Sequence, residues 1–173
     1  DCIFSGLTFE AFNSATSTGQ AVNVSHIKCV TPLWNFPAGR VLLNVIGAQD
    51  KIQGNELHFQ FLSEAASMTP NHGILQGSMV TIRGAGLNAN RHYACSVASQ
   101  HYAQNVSASL SVFAFKQLTP AKYYNFELIC RIPSIRTCED FLLSVRVLDL
   151  TSGELIKGSF DFDYVEGLIS IVP

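Results

Sequence analysis

Apolar residues recur at every second position in a series of short runs, the spacing of β-strands that bury one face. In Phe160-Asp161-Phe162-Asp163-Tyr164 the aromatic rings share one face and the two aspartates the other. Phe141, Leu143, Val145 and Val147 alternate with Leu142, Ser144, Arg146 and Leu148, and Val41, Leu43 and Val45 repeat the pattern. Leu57, Phe59 and Phe61 alternate with His58 and Gln60, and Val80 and Ile82 with Thr81 and Arg83. Clusters such as Pro70-Asn71-His72-Gly73, Gly84-Ala85-Gly86 and Thr151-Ser152-Gly153 separate the runs and mark turns. No dozen residues keep a 3.6-residue period. The pattern predicts an all-β chain of short strands, of the immunoglobulin-sandwich type, with Val80, Ile82, Leu143, Val145, Phe160 and Phe162 inside.

The two halves of the chain resemble each other. Cys29-Val-Thr-Pro32 corresponds to Cys130-Arg-Ile-Pro133 at an offset of 101, and Val41, Leu43 and Val45 to Leu143, Val145 and Val147 at 102. Leu57, Phe59 and Phe61 correspond to Phe160, Phe162 and Tyr164 at 103, as does Pro70 to Pro173, whereas Cys2 corresponds to Cys95 at 93. A period near 100 suits tandem whole domains rather than a solenoid. The expected division is a partial domain over 1–66 whose N-terminal strands are missing, a complete domain over 67–168, and the start of a further repeat over 169–173. On this reading the chain is a window onto a longer array. The span from Tyr164 to Pro173 equals that from Phe61 to Pro70, so the expected array has short linkers and acts as a semi-rigid rod.

Composition narrows the function. Of the 173 residues 47% are hydrophobic and only 14% charged, far from a disordered profile. The formal charge of −2 lacks the basic footprint of a nucleic-acid binder. No apolar run reaches the roughly 18 residues that cross a bilayer as a helix. Five cysteines form no CxxC pair and five histidines no zinc-like spacing. Two glycan-acceptor triplets occur, at Asn23-Val24-Ser25 and Asn105-Val106-Ser107.

The stretch Met68-Thr-Pro70-Asn-His-Gly73-Ile-Leu-Gln-Gly77-Ser-Met-Val80-Thr-Ile82-Arg-Gly84-Ala-Gly86-Leu87, followed by Cys95 and Cys130-Arg-Ile-Pro133, resembles the IPT/TIG domain. That family is an immunoglobulin-like fold of plexins, plexin-like receptors and some transcription factors. Leu87 stands where the family usually has an aromatic, the insertion between Cys95 and Cys130 is long, and Cys138 falls outside the pattern. The resemblance implies tandem IPT/TIG β-sandwiches, without cofactor or metal, on a protein that is extracellular or at the cell surface. The implied role is structural, adhesive or assembling, through domain–domain and protein–protein contacts. Expected partners are other chains or further repeats of the same chain, with N-linked glycans at Asn23 and Asn105, Asn105 preferred. No nucleic acid is expected, and any membrane attachment lies in parts outside this sequence. A receptor-ectodomain spacer for ligand binding and signalling is the alternative. A dimerising module of a nuclear DNA-binding protein is the more distant one, suggested by Arg83, Arg91, Lys116 and Lys122 in a stretch, 65–126, that holds no acid.

Repeat equivalence pairs Cys2 with Cys29 and Cys95 with Cys130. Each bond closes a loop worth about 3.5 to 4 kcal/mol in the chain-entropy description. Cys138 is left unpaired or intermolecular, with Cys130–Cys138 as the rival pairing. Enzymatic readings are weaker. Gly84-Ala85-Gly86-Leu87-Asn88-Ala89 matches a dinucleotide fingerprint but has no acid about 20 residues on, and reads as a glycine turn. Asp161 and Asp163 could contribute to calcium binding but read as a solvated sheet face. His92 and His101 flank Cys95, which reads as a disulfide half rather than a nucleophile. Trp34, the only tryptophan, is expected to anchor a loop or domain contact rather than fill a core.

Overall fold

The structure, a computed structural model, describes residues 1–7, 13–47, 57–74, 77–119, 122–134 and 142–165. These residues are all β, with no helix among them. The chain divides after Leu62 into two units, Asp1–Leu62 and Ser63–Pro173.

The first unit contains β1 (Cys2–Gly6), β2 (Ser14–Ser17), β3 (Gly19–Asn23), β4 (His26–Cys29), β5 (Gly39–Val45) and β6 (Leu57–Phe61). Four of these form an antiparallel sheet in the order β2-β1-β5-β6, and β3 and β4 form a separate hairpin. The buried core is small: Cys2, Phe4, Trp34 and Val41, with Ala15, Cys29, Phe36, Leu43 and Phe61 packed around it. Trp34 corrects the expectation of a peripheral anchor. It lies on a loop, yet it is only 7% exposed and stacks on Phe61 at 4.4 Å between centroids. Its indole Nε1 donates to the Pro37 carbonyl at 3.1 Å, which lets so large a ring be buried without an orphaned N–H.

The second unit contains β7 (Glu64–Thr69), β8 (His72–Ile74), β9 (Ser78–Ala85), β10 (Tyr93–Ala98), β11 (Ala103–Thr119), β12 (Lys122–Ile132), β13 (Leu142–Asp149) and β14 (Phe160–Val165). They form one sheet in the order β7-β9-β12-β11-β10-β13-β14-β8, antiparallel except for β14 beside β8. The sheet is curled. β11 pairs with β10 along Ala103–Ser107 and with β12 from Ala108 onward, so one long strand serves both halves. The alternation read from the sequence now has a direction. Leu143, Val145 and Val147 of β13, Phe162 and Tyr164 of β14, Val80 and Ile82 of β9, and Phe126, Leu128, Cys130 and Ile132 of β12 all point into a single core. Of the six residues expected inside, five are fully buried and Phe160 is half-buried at the rim. Each such aliphatic or aromatic side chain contributes about 1.5 to 3 kcal/mol.

Ladder partners in the two units stand at corresponding positions. Cys2 faces Val45 as Cys95 faces Val147, and Phe4 faces Leu43 as Val97 faces Val145. Val41 faces Phe59 as Leu143 faces Phe162, and Gly19 faces Cys29 as Ala108 faces Cys130. The insertion between Cys95 and Cys130 is a longer hairpin: Ala108 and Cys130 stand 22 residues apart where Gly19 and Cys29 stand 10 apart. Counterparts of β7, β8 and β9 are absent from the described residues of the first unit.

Gly84 is not a turn residue, since β9 runs on to Ala85. A Cβ there would lie 2.0 Å from the Glu64 carbonyl oxygen and 2.6 Å from the Phe126 ring. The turn begins at Gly86, whose φ of 88° is a left-handed conformation that glycine adopts without cost. Gly84→Ala should therefore destabilise the second unit by about 1 to 3 kcal/mol in denaturant unfolding. Gly39→Ala, where a Cβ would meet nothing within 4 Å, should leave stability within about 0.5 kcal/mol.

Candidate functional site

Both cysteine pairs join segments that the sequence keeps apart. Cys2 of β1 is bonded to Cys29 of β4 with Cα atoms 5.9 Å apart, and Cys95 of β10 to Cys130 of β12 at 6.2 Å. Cys2, Cys95 and Cys130 are fully buried, and Cys95 is bonded to Cys130 rather than a free thiol. Cys138 lies outside the described residues, as does the stretch 169–173 expected to open a further repeat.

The acceptor asparagines sit in different settings. Asn23 ends β3 at the hairpin turn, where its side-chain oxygen accepts from the Ser25 N–H at 2.9 Å and the Ser25 hydroxyl at 3.0 Å. Asn105 is exposed but lies within β11, opposite Ser96, rather than on an open loop. Asp161 and Asp163 are exposed on one face of β14. Among the described residues no group of three or more His, Cys, Asp or Glu could hold a metal ion. The glycine fingerprint is followed by turn and strand, not by the helix that pyrophosphate binding requires.

Shallow cavities lie in both units among the described residues. On the outer face of β10, β13 and β14 a shallow groove of about 470 Å³ is lined by Ser96, Ser99, Ser144, Arg146 and Asp161, with Ala98, Leu142 and Leu155. The Arg146 Nε donates to the Ser159 hydroxyl at 3.4 Å, which lies 2.9 Å from that of Ser144. In the first unit a shallow, open cavity of about 390 Å³ is lined by Asp1, Gly19, Ala21, Ile27, Val45, Ile46 and Gly47.

The strongest electrostatic feature is structural. Asp149, buried at the end of β13, accepts from Arg91 Nη1 at 2.8 Å and from the N–H groups of Thr151 and Ser152 at 2.8 and 3.3 Å. Burial pushes its carboxyl up, but the Arg91 hydrogen bond and charge and the two backbone donors outweigh that and hold it below the ordinary carboxylate value. Arg83 is likewise paired, with its Nε 2.9 Å from Glu127. Burial, reinforced by Tyr102, pushes the Tyr164 hydroxyl up to about 12 as it donates to the Pro133 carbonyl.

No protein-family model, characterised protein or solved structure matches the chain.

Sequence reading did not find Asp149, because its partner Arg91 lies 58 residues away and its local pattern, a polar residue after a strand, is common. Its folded-state carboxyl titrates below its unfolded value, so its contribution is present above pH 4 and disappears as pH falls through the folded value. Asp149→Ala should cost about 2 to 4 kcal/mol at pH 7 by leaving Arg91 and two N–H groups unpartnered. The stability gap between wild type and Asp149→Asn should close as pH is lowered below about 4, as followed by denaturant titration.

Proposed function

We propose that the chain is a segment of an extracellular or cell-surface protein built from tandem immunoglobulin-like modules of the IPT/TIG type, with a structural, adhesive or assembly role. The observation that carries this reading is the correspondence between the units: equivalent ladder registers, each closed by a disulfide between equivalent cysteines. A module repeated in this way and locked by cystines is suited to an oxidising compartment. The curl of the second unit about β11, which gives one core between two faces, is the feature that supports a sandwich. Exposed acceptor asparagines at 23 and 105 support secretion. The pairing of Arg83 with Glu127 and of Arg91 with Asp149 works against the nuclear alternative, since two of the four cations of the stretch 65–126 are already neutralised.

Antibody labelling of intact cells from the native source tests the reading. Surface or secreted signal is expected, and peptide mapping of that material should show a glycan on Asn105 or Asn23. Signal confined to nuclei, with DNA affinity that falls steeply with salt, would overturn it.

A further inference from the structure

The outward positions of β10 and β13 depart from what central strands usually carry. Such positions favour β-branched and aromatic side chains, yet Ser96 and Ala98 of β10 face Arg146 and Ser144 of β13, and Ser144 faces Asp161 of β14. These residues line the groove of about 470 Å³, together with Leu142 and Leu155, which are 55% and 50% exposed. The core does not use this face, because the alternate residues Cys95, Val97, Val145 and Val147 are the ones it buries. Arg146 reaches the Ser159 hydroxyl at 3.4 Å and makes no ion pair among the described residues.

The same ladder sets an acceptor asparagine beside the groove. Asn105 of β11 stands opposite Ser96 and Ser96 opposite Arg146, so the three form a row across the outer face that begins at the exposed Asn105. Two strand spacings of about 4.8 Å separate Asn105 from Arg146 along this row, a span the first two sugars of a glycan can cover.

We propose that the groove is the seat of the glycan on Asn105, whose two core N-acetylglucosamines lie across Ser96 toward Arg146. The hydroxyls of Ser96 and Ser144 and the Arg146 guanidinium meet sugar hydroxyls and acetamide carbonyls, while Leu142 and Leu155 offer apolar surface to ring faces and acetyl methyls. A shallow groove suffices because the ligand is tethered. A short covalent link presents it at an effective concentration of the order of millimolar, so contacts too weak to capture a free sugar hold an attached one. The outer face of β10 and β13 is thereby covered by the chain's own sugar and withdrawn from contacts with other chains.

The proposal rests on the glycosylation put forward above and adds to it a fixed orientation. The whole chain is secreted from cells restricted to oligomannose glycans and treated, while folded, with an endoglycosidase that cuts between the two core sugars. Peptide mapping then follows each asparagine separately. Cutting at Asn105 should be about tenfold slower in the wild type than in Arg146→Met, which keeps the stem but loses the guanidinium, since only the undocked fraction is cut. Arg131→Met, at an exposed position of β12, should match the wild type, and after denaturation all three chains should be cut alike. Equal rates at Asn105 in folded wild type and Arg146→Met, or equal acceleration by both substitutions, would overturn the docking and leave the glycosylation standing. A bare Asn105 beside a glycosylated Asn23 would overturn the docking and leave secretion standing, and two bare asparagines would remove the support for both.

Discussion

The second unit depends on one geometric constraint: two strands that are not neighbours in the sheet are held as close as neighbours are. β10 and β12 flank β11, and in a flat sheet strands two apart lie about 9 to 10 Å from each other. The bond between Cys95 and Cys130 sets their Cα atoms 6.2 Å apart. The sheet must therefore fold along β11, at the step from Ser107, paired with β10, to Ala108, paired with β12. Once folded, the inner faces of β9 and β12 meet those of β10, β13 and β14, and a single sheet encloses a core. The sixteen residues buried in that core among the described residues then need no second sheet to cover them.

The first unit carries the corresponding bond beside a smaller core. Cys2 and Cys29 join β1 to β4 across a core of four buried residues, and Trp34 folds in from its loop to supply much of the apolar surface. A cystine fixes the approach of two segments, but it does not fill the space beside them.

Much of this was legible in the sequence because a two-residue period is a local signal. Leu143, Val145 and Val147, and Phe162 with Tyr164, announce their inner face without any knowledge of partners, and the offsets of 101 to 103 carry over into ladder register. Long-range choices were not legible. Trp34 belongs to no periodic run, so nothing local says that its ring stacks on Phe61. Gly84 looked like a turn because glycine in a strand is rare, whereas its reason is the passage of the Glu64 backbone and the Phe126 ring. The groove at Arg146 and Asp161 collects residues from three strands, which no local motif announces.

The decisive measurement is peptide mapping of the oxidised chain under non-reducing conditions, since the curl and the equivalence of the units both rest on cysteine connectivity. Linked peptides containing Cys2 with Cys29 and Cys95 with Cys130 are the predicted result. A Cys130–Cys138 link, with Cys95 recovered as a free thiol, would release β10 from β12 and contradict the account.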